Sequence, residues 1–229
     1  MKTYAEKIWG DCGKAVAYQL NFVTMCMING DYWTDSFASS TWHKAHFDKQ
    51  IKPYKYPKGA IPKNRDYFRM IGYHCAVSEK LKMDMVEFGA SNNDFLPILN
   101  KNDNTEIIGF SLLPKNTLPP IANLNKMKKR ILCKECGLIS YEHSDNLFSL
   151  EVYNGCGYPV YIDENILSKI QPINRLYESE TDIIISLDLY NKLIKKYPRF
   201  ECRPVFLGTI IDDPEYRRTR NPFFKRRLR

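Results

Sequence analysis

The sequence predicts an α+β fold, with two strand–helix–strand lobes of mixed or antiparallel sheet and a central zinc-ribbon-like β insertion. Three observations lead there. Two short apolar runs end in a serine followed by helical spacing, at Ser78 and Ser186. A further apolar run follows each helix. Between the two units lies a stretch with three of the seven cysteines, Cys133, Cys136 and Cys156. Strand and helix signals alternate through the chain, and no run approaches the roughly 18 apolar residues of a membrane span. An apolar content of 44% with 26% charged residues is that of a globular chain, which excludes fibrous and disordered classes.

The N-terminal segment, residues 1–60, is aromatic-rich and is expected to pack on the first lobe. Val16, Tyr18, Leu20, Phe22, Cys26 and Ile28 recur at period two, broken by Thr24, which favours a half-buried strand, and Asn29-Gly30-Asp31 reads as a turn. Trp33 and Trp42 follow. The segment Lys52-Pro53-Tyr54-Lys55-Tyr56-Pro57-Lys58-Gly59 reads as a connection, because two prolines and a glycine interrupt any regular element. The N-terminus has no apolar stretch behind its first lysine, so a cytoplasmic protein without a secretory signal is expected.

The first lobe spans 61–125. Tyr73-His74-Cys75-Ala76-Val77 reads as a strand and Ser78 as a helix cap, with Leu81, Met85 and Phe88 on the apolar stripe and Gly89 as the stop. Phe95–Leu99 is the returning strand, and Lys101-Asn102-Asp103-Asn104 turns it into Ile107–Leu113. The second lobe belongs to 126–216 together with the cysteine segment. Asp163 is a cap-like start before Ile166, Leu167 and Ile170. Asp182–Ile185 is a strand, Ser186 a cap, and Leu189, Tyr190, Leu193 and Ile194 an apolar stripe that ends at Pro198. Phe200–Leu207 then returns. Superposing Ser78 on Ser186 aligns strand, cap, helix and returning strand, which reads either as the chance repetition any α+β chain shows or as two similar lobes flanking the cysteine segment.

Cys133-Lys134-Glu135-Cys136-Gly137 is a CxxCG turn, in which two thiolates grip one soft metal ion. A ribbon needs a second such turn. Tyr153-Asn154-Gly155-Cys156-Gly157 keeps its closing Cys-Gly but has tyrosine where the first cysteine belongs. Three thiols leave a zinc site one ligand short. His143 is the nearest candidate, and Cys202 the other if the later strand folds back. The alternative is a metal-free ribbon that keeps its hairpin. A redox CxxC lacks the helix that would open at Cys136.

Cysteine spacing, Asp-Ile-Ile-Ile-Ser and the amphipathic helix after it together resemble the double-CxxCG proteins, immunity proteins found beside bacterial polymorphic toxins. Ala76-Val77-Ser78-Glu79-Lys80-Leu81 with Asp94-Phe95-Leu96-Pro97-Ile98 is similar to a unit of related immunity families. The resemblance covers roughly Tyr73 to Leu207, and Tyr153 departs from it at a knuckle cysteine. It implies an antitoxin that neutralises a cognate protein toxin by direct, non-catalytic binding through a few aromatic or arginine anchors.

The formal charge of +8 invites a nucleic-acid reading, but its distribution argues otherwise. Arg217, Arg218, Arg220, Lys225, Arg226, Arg227 and Arg229 carry all but one of the excess charges within the last thirteen residues, with no acid among them. The body is close to neutral. The tail is the candidate binding segment for a polyanion or an acidic toxin surface, and the second functional reading is a nucleic-acid-associated zinc-ribbon protein. An enzyme is not expected: GxSxG, P-loop, GxGxxG and HExxH motifs are absent. His43 and His46 read as an exposed polar pair, and His74 and Cys75, adjacent in a strand, point to opposite faces.

Overall fold

The computed structural model describes residues 2–22, 54–62, 64–70, 75–119, 128–131, 139–142, 160–177 and 182–208. Helix caps set the first elements. Helix α1 (Tyr4–Trp9) opens on a capping box in which Thr3 and Glu6 satisfy each other's backbone N–H groups. It closes on Gly10, whose φ of 82° is a conformation that favours glycine. Strand β1 (Ala15–Leu20) follows.

The first sheet contains β2 (Tyr54–Tyr56), β3 (Tyr67–Arg69), β4 (Cys75–Val77), β5 (Phe95–Asn100) and β6 (Asp103–Leu112), in the order β2-β5-β6-β4-β3. Helix α2 (Glu79–Glu87) joins β4 to β5, with the Ser78 hydroxyl accepting from Leu81 N–H at 3.1 Å. Strands β7 (Lys128–Ile131) and β8 (Ile139–Glu142) form a separate antiparallel pair. The second sheet contains β9 (Val160–Ile162), β10 (Ile173–Arg175), β11 (Ile183–Ser186) and β12 (Cys202–Leu207), with helix α3 (Glu164–Leu167) after β9 and α4 (Leu187–Lys196) after β11. Its order is β10-β11-β1-β12-β9. The protein is therefore α+β with two mixed sheets, each antiparallel except for one parallel edge pair, β2–β5 and β9–β12.

The caps, helices and returning strands at Ser78 and Ser186 lie where the sequence reading expects them. Two elements differ. Tyr54-Lys55-Tyr56, read as connection, is a three-residue edge strand. Parallel pairing to Ile98–Asn100 recruits it despite the flanking prolines, which edge strands tolerate. The N-terminal segment, expected against the first lobe, gives β1 to the centre of the second sheet, between β11 and β12. Other parts of the same segment reach the first sheet: β2 pairs with β5 there, and the ring of Phe22, just past β1, lies 4.9 Å from that of Tyr67.

The sheets match rung for rung. Along β5, Phe95, Pro97 and Ile98 oppose Leu112, Phe110 and Gly109. Along β12, Cys202, Pro204 and Val205 oppose Leu20, Tyr18 and Ala17. Each central strand thus presents a small residue, an aromatic and a leucine at the same rungs. Both ladders slip just past the small residue. Backbone bonds recur as well. Ser78 N–H donates to Asp66 C=O and Ser186 N–H to Pro172 C=O, while Lys101 N–H donates to Tyr56 C=O and Gly208 N–H to Ile162 C=O.

One face of each sheet, together with α1, α2 and α4, builds a common core that includes Tyr18, Leu20, Phe22, Val77, Leu81, Phe110, Leu112, Leu193 and Phe200. Each outer face carries a smaller cluster: Ala17, Ile162, Ile184 and Val205 on the second sheet, Phe68, Met70, Ala76 and Ile98 on the first. Burying one such large apolar side chain contributes about 1.5–3 kcal/mol. Phe22, Tyr67 and Phe200 lie edge to face or tilted, centroids 4.9–5.6 Å apart, and the Tyr67 hydroxyl donates to Arg199 C=O at 2.6 Å. The halves are thereby tied at their junction.

Candidate functional site

The sequence-derived metal ligands Cys133, Cys136, Cys156 and His143 lie outside the described residues, as do Arg217, Arg218, Arg220, Lys225, Arg226, Arg227 and Arg229 of the tail. What is described is the pair of strands on either side of the CxxCG. Lys128 pairs with Glu142 and Ile131 with Ile139, so β7 and β8 run antiparallel up to the residues that contain Cys133 and Cys136. Among the described residues no group of three or more His, Cys, Asp or Glu side chains is arranged to hold a metal ion.

Cys202, weighed as a fourth ligand, lies on the inner face of β12 and is fully buried. Burial drives its thiol well above the ordinary range, with Cys12 adding to the shift and a hydrogen bond with Tyr190 opposing it. Tyr18 stacks on Tyr190 with centroids 3.5 Å apart, so the two thiols share a pocket of packed phenols rather than a solvent-facing site. Burial pushes the Tyr190 hydroxyl up to about 12 and raises that of Tyr18. Cys75 is wholly buried in β4 and its thiol is pushed up to about 12 by desolvation, against the pull of Arg69. A thiol held in that range stays protonated near neutral pH and is a poor nucleophile. Cys75 therefore acts as a small core residue.

The other titratable side chains with shifted values hold the chain in place. The Asp84 carboxylate of α2 accepts from the Lys196 ammonium at 2.8 Å and the Tyr197 hydroxyl at 2.7 Å, both at the end of α4. Those hydrogen bonds keep it below the usual carboxylate range. Asp94 is raised by desolvation, although the backbone N–H groups of Lys115 and Ser91 offset part of the cost. Glu106 is held down by Lys58 and Asn100. Asn174, fully buried in β10, accepts from Asn116 and from Gln171 N–H and donates to the carbonyls of Gln171 and Ile184.

The described surface that remains for a partner is of mixed charge with isolated apolar side chains. Met83 on α2 is 65% exposed, and Leu187 on α4 and Ile8 on α1 are also exposed. Lys196 stands 4.9 Å from the Phe88 ring and Lys82 4.2 Å from the Phe110 ring, so cations here sit over aromatic faces. Helical spacing already turns Met83 away from the stripe, since it stands two residues from both Leu81 and Met85 on the opposite face of α2. No helix among the described residues is long and apolar enough to cross a membrane. No protein-family profile matches the chain, and no curated protein matches it significantly.

Proposed function

We propose that this protein is an immunity-type antitoxin that neutralises a cognate bacterial protein toxin by direct, non-catalytic binding in the cytoplasm. The observation that supports it best is the order of parts: two matching α+β units with a CxxCG between the paired strands β7 and β8 that separate them. The CxxCG, the strand Ile183–Ser186 and the helix after it are the parts that resemble double-CxxCG immunity proteins. Further support comes from the described chemistry, in which the shifted carboxylates serve as caps and ties and the shifted thiols are core residues. A binder of this kind takes its affinity from a few well-packed anchors within a complementary surface, and Met83, Leu187 and Ile8 are available for that role.

The test is co-expression with toxin genes next to its own. Rescue of growth by the intact protein is expected, and Met83→Asp, placed on an exposed helix face, should weaken rescue without loss of fold. Failure to rescue with every adjacent candidate would remove this reading.

The CxxCG between paired strands favours one second reading, a nucleic-acid-associated zinc-ribbon protein. It requires bound zinc and a polyanion affinity that survives deletion of residues 217–229. Metal content by elemental analysis decides the first point, since a closed structural site retains zinc through purification and fewer than ~0.1 ions per chain excludes it. Heparin retention of the truncated chain decides the second. Loss of retention assigns the affinity to the tail.

A further inference from the structure

We propose that the chain is a fused pair of equivalent halves, 15–100 and 103–207, that exchange their leading strands. Each five-stranded sheet has a slot fitted to a strand supplied by the other half. Strand β1 opens the first half but fills the slot between β11 and β12. Strand β6 opens the second half and fills the slot between β4 and β5.

Position by position, Tyr54, Tyr67, Cys75, Ser78 and Phe95 of the first half stand where Val160, Ile173, Ile183, Ser186 and Cys202 stand in the second. The spacing between partners is nearly constant. The turn at Lys58–Ala60 falls where α3 falls, and each follows the parallel edge strand. The slots are alike in detail. Each is bounded by an antiparallel strand on either side, and each takes the sequence small–aromatic–polar–leucine, Ala17-Tyr18-Gln19-Leu20 or Gly109-Phe110-Ser111-Leu112. The rung after the aromatic is a buried polar residue in both. Gln19 Oε1 and Ser111 Oγ have no hydrogen-bond partner among the described residues. A shared and costly choice at the same rung argues for common descent rather than convergence on a good strand.

The crossings are reciprocal too. Leaving β6, the chain runs to the second sheet, where Leu118 N–H donates to Arg175 C=O and Arg175 N–H to Asn116 C=O, both at 2.9 Å. Leaving β1, Phe22 crosses to Tyr67 of β3, the counterpart of β10. An unexchanged duplication would place each leading strand in its own half, so the reciprocity identifies the partner each slot accepts: an equivalent half, as in strand-swapped dimers.

The test uses the full chain with a site-specific protease sequence inserted between Lys101 and Asn102, in the turn that joins the two halves, cut after folding. The halves are expected to stay together at the mass of the intact protein and to separate only in denaturant. Within the cut protein, Tyr18→Pro and Phe110→Pro each remove one exchanged strand's ladder and should each weaken the association about a hundredfold. Two separately folded halves after cutting, or aggregation of both, overturn the proposal. Hydrogen exchange on the uncut wild-type chain gives an independent reading. The amides of β1 and β6 should be protected as strongly as their neighbours in β11, β12, β4 and β5. Exchange of β1 by local opening, far ahead of β11 and β12, overturns it as well.

Discussion

The two sheets have the same strand order and rung pattern, yet are completed by opposite routes. In the first, β5 turns through Lys101 and Asn102 directly into β6, a hairpin that closes early and at small entropic cost. In the second, the equivalent strand comes from the far end of the chain. Its position therefore depends on packing against partners remote in sequence, such as Ile185 and Pro204 beside Tyr18. The comparison teaches that the slot, and not the connection, specifies the central strand. The same side-chain pattern is accepted whether it arrives locally or from a distance.

The largest test of that equivalence is a matched pair of truncations. Leu20 and Leu112 are both 1% exposed in the common core, and Leu20→Ala and Leu112→Ala should each cost about 2–5 kcal/mol in urea unfolding. A near-zero cost at one of them breaks the comparison. Smaller, and expected to differ, is the small-residue rung. A Cβ at Gly109 would stand 3.3 Å from Val77 C=O and 3.4 Å from the Phe68 ring, so Gly109→Ala should cost about 1–3 kcal/mol although its counterpart is already Ala17.

Next come the caps. Ser78→Ala and Ser186→Ala should each lose about 1 kcal/mol by thermal unfolding. The loss should be greater at Ser78, whose hydroxyl also donates to Asp66 at 2.9 Å.

Where the halves meet, Tyr197→Phe removes the hydroxyl bond to Asp84 and should cost about 1 kcal/mol. Asp84 is depressed in the folded state, so its contribution is complete above the unfolded carboxylate value and is lost as pH falls through about 4 and below. Denaturation followed across that range should show a shallower acid slope in Asp84→Asn. The smallest effect belongs to the exposed Lys58–Glu106 pair, whose removal should leave stability unchanged within error.

Much of the fold was legible because it is local. Ser78 and Ser186 cap helices whose apolar spacing follows at once, and Phe95–Leu99 and Phe200–Leu207 are apolar-rich runs of strand length. The placement of β1 was not legible, since periodicity assigns a strand its two faces but never its neighbours. Nor was β2, three residues between prolines that only parallel pairing makes a strand. Of the candidate site, spacing marked Cys133 and Cys136, and the structure contributes the paired strands beside them. The inert environments of Cys75 and Cys202 depend on burial, which adjacency in sequence cannot reveal.

The route by which β1 reaches its place also sets a timetable during synthesis. Tyr18 and Leu20 are made long before the rung partners of β12, which are completed only at Leu207. At translation rates of ~5–20 residues per second, that is a wait on the order of ten to forty seconds. The first sheet has all its strands once Leu112 has been made, whereas the aromatic-bearing β1 stays without its β12 ladder until Leu207 has been made. Nascent chains in that interval expose a pairing edge, and that is when a chaperone would matter most to this protein.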